Sequence, residues 1–124
     1  MPLQPSARAL LIVNPDSRKG AGATLQDGTE RLQKAGIQVE QLDSGNPAES
    51  RKAIKSRSHN LDLVILGGGD GTISSVAGTL LRCRLAFAVL PLGTANDLAR
   101  SLGVAGSMDD AFSAIIANHR QRIE

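Results

Sequence analysis

The sequence predicts an α/β protein with a doubly wound, mainly parallel sheet that carries helices on both faces. Two observations lead to this fold class. Short apolar runs, which are typical of buried parallel strands, alternate along the chain with segments whose apolar residues recur at helical spacing. The core must be almost entirely aliphatic, because Phe87 and Phe112 are the only aromatic residues among 124. A chain of this length is expected to form one domain.

The predicted elements follow one another in regular alternation. Strands are predicted at 8–13, 37–42, 61–66 and 86–90, and helices at 22–35, 48–57 and 72–82, followed by a helix that opens near 94 and a last helix that starts at 107. Leu25 and Leu32 share one face of the first helix, and Gly36 stands just past its end as a C-terminal cap. Ala53 and Ile54 form the apolar side of the second helix. In such a sheet, ligands bind beyond the carboxyl ends of the strands.

The last helix carries a stripe that is interpreted as core rather than as a cofactor site. Its members, at helical spacing, are Met108, Ala111, Phe112, Ile115, Ile116 and His119. His59, which is placed in a loop, and His119 have no carboxylate or cysteine at metal-ligand spacing. Neither histidine is therefore expected to bind a metal or to take part in catalysis.

Composition excludes several classes of function. A net charge of +2 allows only a mild preference for anions, and two aromatic residues argue against stacking on nucleic-acid bases. Cys83 is the only cysteine, so no intrachain disulfide is possible and a cytoplasmic location is expected. No signal peptide and no run of eighteen apolar residues occur, so any membrane contact should be peripheral. The basic residues at 51, 52, 55 and 57 are interpreted as a solvated helix face, with contact to an anionic membrane as the alternative.

The most informative segment follows the third predicted strand and consists of Gly67, Gly68, Gly69, Asp70, Gly71 and Thr72. Glycines allow a tight turn and a close approach of backbone N–H groups to an anion. Asp70 would repel bare phosphate, but it suits a phosphate that carries Mg²⁺ or a hydroxyl that is about to be phosphorylated. The segment is not a P-loop, because no glycine is followed by lysine, and it lacks the third glycine of the dinucleotide fingerprint. It therefore predicts phosphoryl transfer.

Two further strand ends carry polar motifs: Asn14-Pro15-Asp16-Ser17, and Pro91-Leu92-Gly93-Thr94-Ala95-Asn96-Asp97. Together with the glycine run, these motifs resemble the diacylglycerol kinase catalytic domain family, which includes bacterial lipid kinases and the sphingosine and ceramide kinases. The resemblance covers nearly the whole chain. It implies the nucleotide-binding fold shared with NAD kinase and phosphofructokinase, with ATP and Mg²⁺ as cofactors.

The resemblance also implies roles for individual residues. The ATP-binding positions would be Asn14, Pro15, Ser17, Gly67 to Thr72, Gly93 and Thr94, with Asp70 serving the Mg-nucleotide and the transfer step as the catalytic residue. Asn96 and Asp97 would brace the nucleotide loop. Thr94 and Asp97 also fit a capping box at the start of a helix, and for Asp97 both roles stay open.

The chain departs from the family pattern at two places. Ser74-Ser75 stands where the family has Asn-Glu after the glycine motif, so one carboxylate is missing. Asp43-Ser44 stands at the end of the second strand, where many members have Thr near the nucleoside. Asp43 could accept hydrogen bonds from ribose hydroxyls, and the alternative is a structural turn aspartate.

The resemblance implies that residues 1–124 are the nucleotide-binding domain of a lipid kinase whose β-sandwich domain is absent from this chain. The parent would transfer the γ-phosphoryl group of ATP to a lipid hydroxyl such as that of diacylglycerol, and this chain alone would be inactive. Its partners would be ATP and a lipid at a membrane surface, with a homo-oligomer left open. Two alternatives remain, a small-molecule kinase of the NAD kinase type and a noncatalytic nucleotide-binding or regulatory module.

Overall fold

The structure is a computed structural model that describes residues 7–15, 22–68, 70–91 and 108–122. Its elements are β1 (Ala7–Val13), α1 (Gly22–Lys34), β2 (Ile37–Asp43), α2 (Pro47–Arg57), β3 (Leu63–Gly68), α3 (Asp70–Arg82), β4 (Ala86–Pro91) and α4 (Met108–Arg122). A short 3-10 turn, Ser58–Asn60, follows α2. His59 lies exposed in this turn rather than in an irregular loop. The predicted helix near 94 and the start of the last helix at 107 lie outside the described residues.

The four strands form one parallel sheet in the order β2-β1-β3-β4. Helices α1 and α4 pack on one face, and α2 and α3 pack on the other. This arrangement confirms the predicted α/β class. It arises because each parallel connection must cross over a face of the sheet, and an amphipathic helix makes that crossing while covering the strands.

The core consists of two aliphatic layers, one on each face of the sheet. Alternate residues of β1 point to opposite faces, so the continuous apolar run of that strand contributes to both layers. The layer under α1 and α4 contains Ala9, Leu11, Val13, Leu25, Leu32, Ile37, Ile65, Leu90, Ala111, Phe112 and Ile115. The layer under α2 and α3 contains Leu10, Ile12, Ala53, Ile54, Val64, Leu66, Ile73, Val76, Leu80 and Val89. The predicted buried faces of the first two helices are therefore confirmed.

Helix ends show where local chemistry decides the boundaries. Gly36 has a φ of 94°, a backbone conformation that glycine adopts without strain, and this confirms the predicted C-terminal cap of α1. Arg84 adopts a φ of 56° after α3, although it is not a glycine. The side-chain oxygen of Asn46 accepts hydrogen bonds from the N–H groups of Ala48 and Glu49 and so caps α2.

Close packing between α1 and α4 depends on one glycine. Gly28 is buried, and a Cβ atom at this position would overlap the ring of Phe112. Phe112 is itself almost fully buried, at 1% exposure, so its ring is held by the surrounding core. The glycine therefore sets how closely the two helices on this face approach each other.

Candidate functional site

The glycine run is divided between a strand and a helix. Gly67 and Gly68 are the last residues of β3, where they pair with Leu90 and Pro91 of β4. Helix α3 begins at Asp70, so a single residue separates the two elements. The predicted boundaries, a strand over 61–66 and a helix from 72, are wrong by two residues. The strand is shifted because the sheet ladder with the neighbouring strands continues into the glycines.

The first turn of α3 lies directly beyond the carboxyl end of β3. The first four N–H groups of an α-helix have no partner within the helix, and the helix dipole adds a partial positive charge there. In α3 these groups include those of residues 70–72. Because Gly71 has no side chain, an anion can approach this backbone closely. The junction is therefore a potential phosphate site of the kind common in α/β proteins.

Asn14 joins the end of β1 to this junction. Its backbone N–H donates a hydrogen bond of 3.1 Å to the carbonyl of Gly67. Asn14 is half-buried, and Pro15 beside it is exposed. The structure thus brings together the first motif and the glycine run, as predicted from their positions at neighbouring strand ends.

The end of β2 lies at the same edge of the sheet, beside the end of β1. The N–H of Ser44 donates a hydrogen bond of 2.9 Å to the carbonyl of Val13, and Asp43 pairs with Val13 in the sheet register. A Cβ atom on Gly45 would lie 3.5 Å from the side-chain oxygen of Asn14, so the loop after β2 contacts the Asn14 side chain. Gly45 is not among the residues predicted from the sequence, although it stands in a turn directly after a predicted strand.

These contacts form at the topological switch point of the sheet. From β1, the chain proceeds to β2 on one side, whereas β3 lies on the other side. The following helices, α1 and α3, consequently cover opposite faces and diverge at this edge. A crevice opens between such diverging connections, and open α/β sheets bind their ligands there.

A hydrogen bond between helices supports the second turn of α3. The Nη1 atom of Arg51 on α2 donates to the carbonyl of Ser75 at 3.1 Å. The acceptor is a backbone carbonyl, so this hydrogen bond does not use the Ser75 side chain. Nothing in the sequence pattern indicated this pairing.

The basic residues of α2 do not act as one group. Arg57 forms an ion pair with Glu40 at 2.9 Å, and the hydrogen bond that its guanidinium donates to Glu40 raises the pKa of Arg57. The guanidinium of Arg51 donates a hydrogen bond to the carbonyl of Ser75, whereas Lys52 and Lys55 are exposed. Two of the four basic side chains are therefore paired within the protein and two are exposed, and the choice between a solvated face and membrane contact stays open.

Several predicted site residues lie outside the described residues: Ser17, Gly69, Gly93, Thr94, Asn96 and Asp97. The motif that contains the last four follows β4, which ends at Pro91 beside Gly68. The described end of β4 therefore lies at the same edge of the sheet as Gly68.

Cavities of about 300 and 330 Å³ open among the described residues at the opposite, amino end of the sheet. One is lined in part by Arg8, Glu40 and Arg57, and the other by Asp62, Arg84 and Phe87. Strand amino ends are not where open α/β sheets bind ligands. The carboxyl edge is therefore the better candidate.

Comparison with known proteins shows the family to which the chain belongs. A model of the diacylglycerol kinase catalytic domain matches residues 8–124, nearly the whole chain. The chain belongs to the diacylglycerol kinase catalytic domain family. Within the described parts of the chain, no helix has the length and apolar content needed to cross a membrane.

Two relatives and one solved structure show the extent of the similarity. The protein named "Probable lipid kinase YegS-like" from Citrobacter koseri is 34% identical over 122 residues, which cover 94% of this chain and 40% of that protein. "Probable lipid kinase YegS" from Salmonella arizonae is 32% identical over 121 residues, with the same two coverages. The crystal structure of a diacylglycerol kinase from Bacillus anthracis str. Sterne matches with a TM-score of 0.73 at 28% identity, covering 91% of this chain and 43% of that one. The chain thus spans about 40% of the length of the curated relatives it matches.

Proposed function

We propose that this chain is the ATP-binding part of a lipid kinase that transfers the γ-phosphoryl group of ATP to a lipid hydroxyl such as that of diacylglycerol. The observation that carries the proposal is the hydrogen bond between Asn14 and Gly67 at the switch point, directly before the first turn of α3. This chain belongs to the family, and at that edge of its sheet two of its three sequence motifs, the one at Asn14 and the glycine run, lie in contact. It also offers the backbone donors that nucleotide phosphates need.

The residues at the edge fit an ATP molecule whose phosphates face the start of α3. Gly67 is buried at the end of β3, and the glycines in the sequence on either side of Asp70 would allow phosphate oxygens to approach the backbone closely. The proposed nucleotide-binding set is Asn14, Pro15, Ser17, Gly67, Gly68, Gly69, Asp70, Gly71, Thr72, Gly93, Thr94, Asn96 and Asp97. The phosphates are expected to contact the glycine segment, because its N–H groups lie at the positive end of a helix dipole.

A magnesium ion that arrives with the nucleotide also fits this site. The described residues contain no cluster of three or more histidine, cysteine, aspartate or glutamate residues, so they do not form a protein cage for a metal. Mg²⁺ in kinases is usually held by one or two carboxylates together with substrate phosphates and water. Asp70, the first residue of α3, would supply one carboxylate for such an ion. The bound ion would neutralise charge on the transferring group.

Catalysis in such an enzyme comes mainly from positioning and charge stabilisation, because the phosphoryl group requires little covalent chemistry from the protein. In the proposed arrangement the glycine segment orients the phosphates and Asp70 acts at the transferring group. The second wall of the cleft, with the lipid contacts and a general base, would come from a β-sandwich domain elsewhere in the parent protein. The protein would work in the cytoplasm and meet its substrate at the membrane surface.

Phosphoryl-transfer assays with the full-length parent test this function. The protein is incubated with Mg-ATP and either diacylglycerol in mixed micelles or NAD, and the phosphorylated product is measured. We expect phosphate to be transferred to the lipid. Phosphorylation of NAD instead would favour the NAD kinase type, and no transfer to either acceptor would favour a noncatalytic nucleotide-binding module. Either result would contradict the lipid kinase proposal.

A further inference from the structure

Helices α2 and α3 lie on the same face of the sheet, and a side chain of α2 reaches across to α3. The Nη1 atom of Arg51 donates a hydrogen bond of 3.1 Å to the backbone carbonyl of Ser75. Ser75 lies in the second turn of α3. The contact is therefore made roughly one helical turn, about 5.4 Å, beyond the residues proposed to bind phosphate.

We propose that Arg51 is a positioning residue for the nucleotide site: its hydrogen bond to α3 holds the start of that helix where its N–H groups bind the phosphates of ATP. This inference rests on the proposed function, because it requires those phosphates to lie at the start of α3. It goes further by assigning a role to a residue that belongs to none of the three sequence motifs and that acts through the helix rather than on the ligand.

The start of α3 has few contacts of its own to fix its place. Ile73 and Val76 are buried and anchor the side of the helix that faces the sheet. The residues before them include Gly71 in the first turn and Gly67 and Gly68 at the end of β3. Glycine has no side chain to pack and is a poor helix former. A contact from the neighbouring helix therefore limits sideways movement that the glycine segment itself cannot prevent.

Arg51 completes a ring of contacts at the carboxyl end of the sheet. The end of β1 is joined to the end of β3 through the N–H of Asn14, and to the turn after β2 through the N–H of Ser44. That turn leads into α2, whose first N–H groups are capped by Asn46. Arg51, in the second turn of α2, then joins this helix to α3, which follows β3. Loss of its guanidinium opens the ring only between the two helices.

The surroundings of Arg51 favour a well-defined contact. Arg51 and Ser75 are both half-buried, and the hydrogen bond between them is partly shielded from solvent. On the opposite face, the hydrogen bond from Arg31 to Ser113 joins two helices at an exposed position. Hydrogen bonds with a charged donor are stronger than neutral ones. Water also competes less well for a shielded bond, so Arg51 restrains α3 more firmly than an exposed arginine would.

A set of variants in the full-length parent tests this role. Arg51→Met keeps the apolar stem of the side chain and removes the guanidinium. Arg51→Gln, with a polar but shorter side chain, keeps the test open if the methionine variant does not fold. Arg51→Lys restores a charged donor without the planar guanidinium. Lys52→Met is the control, because it removes the same charge from an exposed neighbour on α2.

The readouts separate positioning from a purely structural role. The dissociation constant of Mg-ATP is measured by calorimetry, and kcat and the KM values for ATP and lipid are measured in the phosphorylation assay. A variant that is only less stable contains less active enzyme, which lowers the apparent kcat and leaves both KM values unchanged. Loss of positioning weakens phosphate binding, which raises the dissociation constant and the KM for ATP and leaves the KM for lipid unchanged.

We expect Arg51→Met and Arg51→Gln to raise the dissociation constant and the KM for ATP about five- to tenfold, the effect typical of losing one hydrogen bond with a charged donor. Arg51→Lys should recover part of this loss, and Lys52→Met should stay within about twofold of the wild type. An unchanged dissociation constant in Arg51→Met and Arg51→Gln, or an equal loss in Lys52→Met, would overturn the role of Arg51 while leaving ATP binding in place.

Failure of the proposed function gives a different pattern. If the parent binds ATP but phosphorylates no lipid, the lipid kinase proposal fails, and the dissociation constants of the same variants still decide the role of Arg51. If the wild-type parent binds no ATP, the proposed function fails and the positioning role fails with it.

Discussion

In the proposed site, Asp70 is the residue that would distinguish phosphoryl transfer from simple anion binding. Backbone N–H groups at the start of a helix can bind phosphate without help, and a carboxylate at the start of α3 would weaken that binding unless it served a metal or the transferring group. Its chemistry can be separated from its structural effect, because asparagine retains the size and turn preference of aspartate but lacks its charge.

We therefore predict that Asp70→Asn in the full-length enzyme keeps the fold and lowers kcat by about 10²- to 10⁴-fold, the range for loss of a positioned proton-transfer or charge-stabilising group. The measurement is lipid phosphorylation under saturating Mg-ATP, with circular dichroism to confirm folding. Asp27→Asn, which changes an exposed carboxylate on α1, should retain wild-type turnover. Near wild-type turnover in Asp70→Asn would contradict the catalytic role of Asp70 and would leave the glycine segment with nucleotide binding as its only proposed role.

At the scale of the elements, two helical glycines differ in the space available for a side chain. Gly28 on α1 faces the ring of Phe112, and a Cβ atom there has no space. Gly78 on α3 is exposed, and a Cβ atom there would meet no neighbouring atom within 4 Å. The same substitution therefore tests helix packing at one position and helix propensity at the other.

We predict that Gly28→Ala lowers the free energy of unfolding by about 1–3 kcal/mol, the usual cost of overpacking a filled core. Gly78→Ala should raise it by about 0.5–1 kcal/mol, because alanine is the better helix former and its methyl group meets no clash. Urea unfolding of both variants and the wild type measures the two changes. A Gly28→Ala variant as stable as the wild type would show that α4 does not pack as closely on α1 as the structure indicates.

The boundaries of the elements show which information the sequence carries. The apolar run before Asn14 and the glycine at position 36 are local signals, and both predicted the structure correctly. The strand predicted at 61–66 lies at 63–68 instead, because its length is set by pairing with β1 and β4 rather than by its own residues. A glycine-rich segment looks like a turn when it is read alone. In the sheet, Gly67 and Gly68 have hydrogen-bonding neighbours that keep them in the strand.

The same distinction applies to the candidate site. The three motifs could be assigned to one edge of the sheet because parallel strands place their carboxyl ends together. The contacts between Asn14 and Gly67 and between Arg51 and Ser75 join segments that are distant in sequence, and no local pattern encodes them. Family membership was predicted correctly from the motifs, since they combine specific residue types at fixed spacing.

At the scale of the whole molecule, the chain forms one wall of the proposed catalytic cleft. Because the general base and further ligands for Mg²⁺ are proposed to lie in another domain, we predict that the 124-residue chain alone does not phosphorylate lipid. Transfer of radiolabelled phosphate from ATP to diacylglycerol measures this activity, with the full-length parent as the positive control. Robust turnover by the chain alone would contradict the two-domain mechanism and would require a base within these residues.

The central claim is that nucleotide phosphates bind at the switch point between β1 and β3, and an NMR titration of the isotopically labelled chain with Mg-ATP tests it most directly. Binding is expected in the millimolar range, about −4 kcal/mol, because a single wall leaves the phosphates largely hydrated. The amides of Asn14, Gly67, Gly68 and residues 70–72 should shift first, and those of α4 should shift little, because that helix packs on the sheet through its apolar stripe. Shifts confined to α4, with the glycine segment unchanged, would contradict the proposed site.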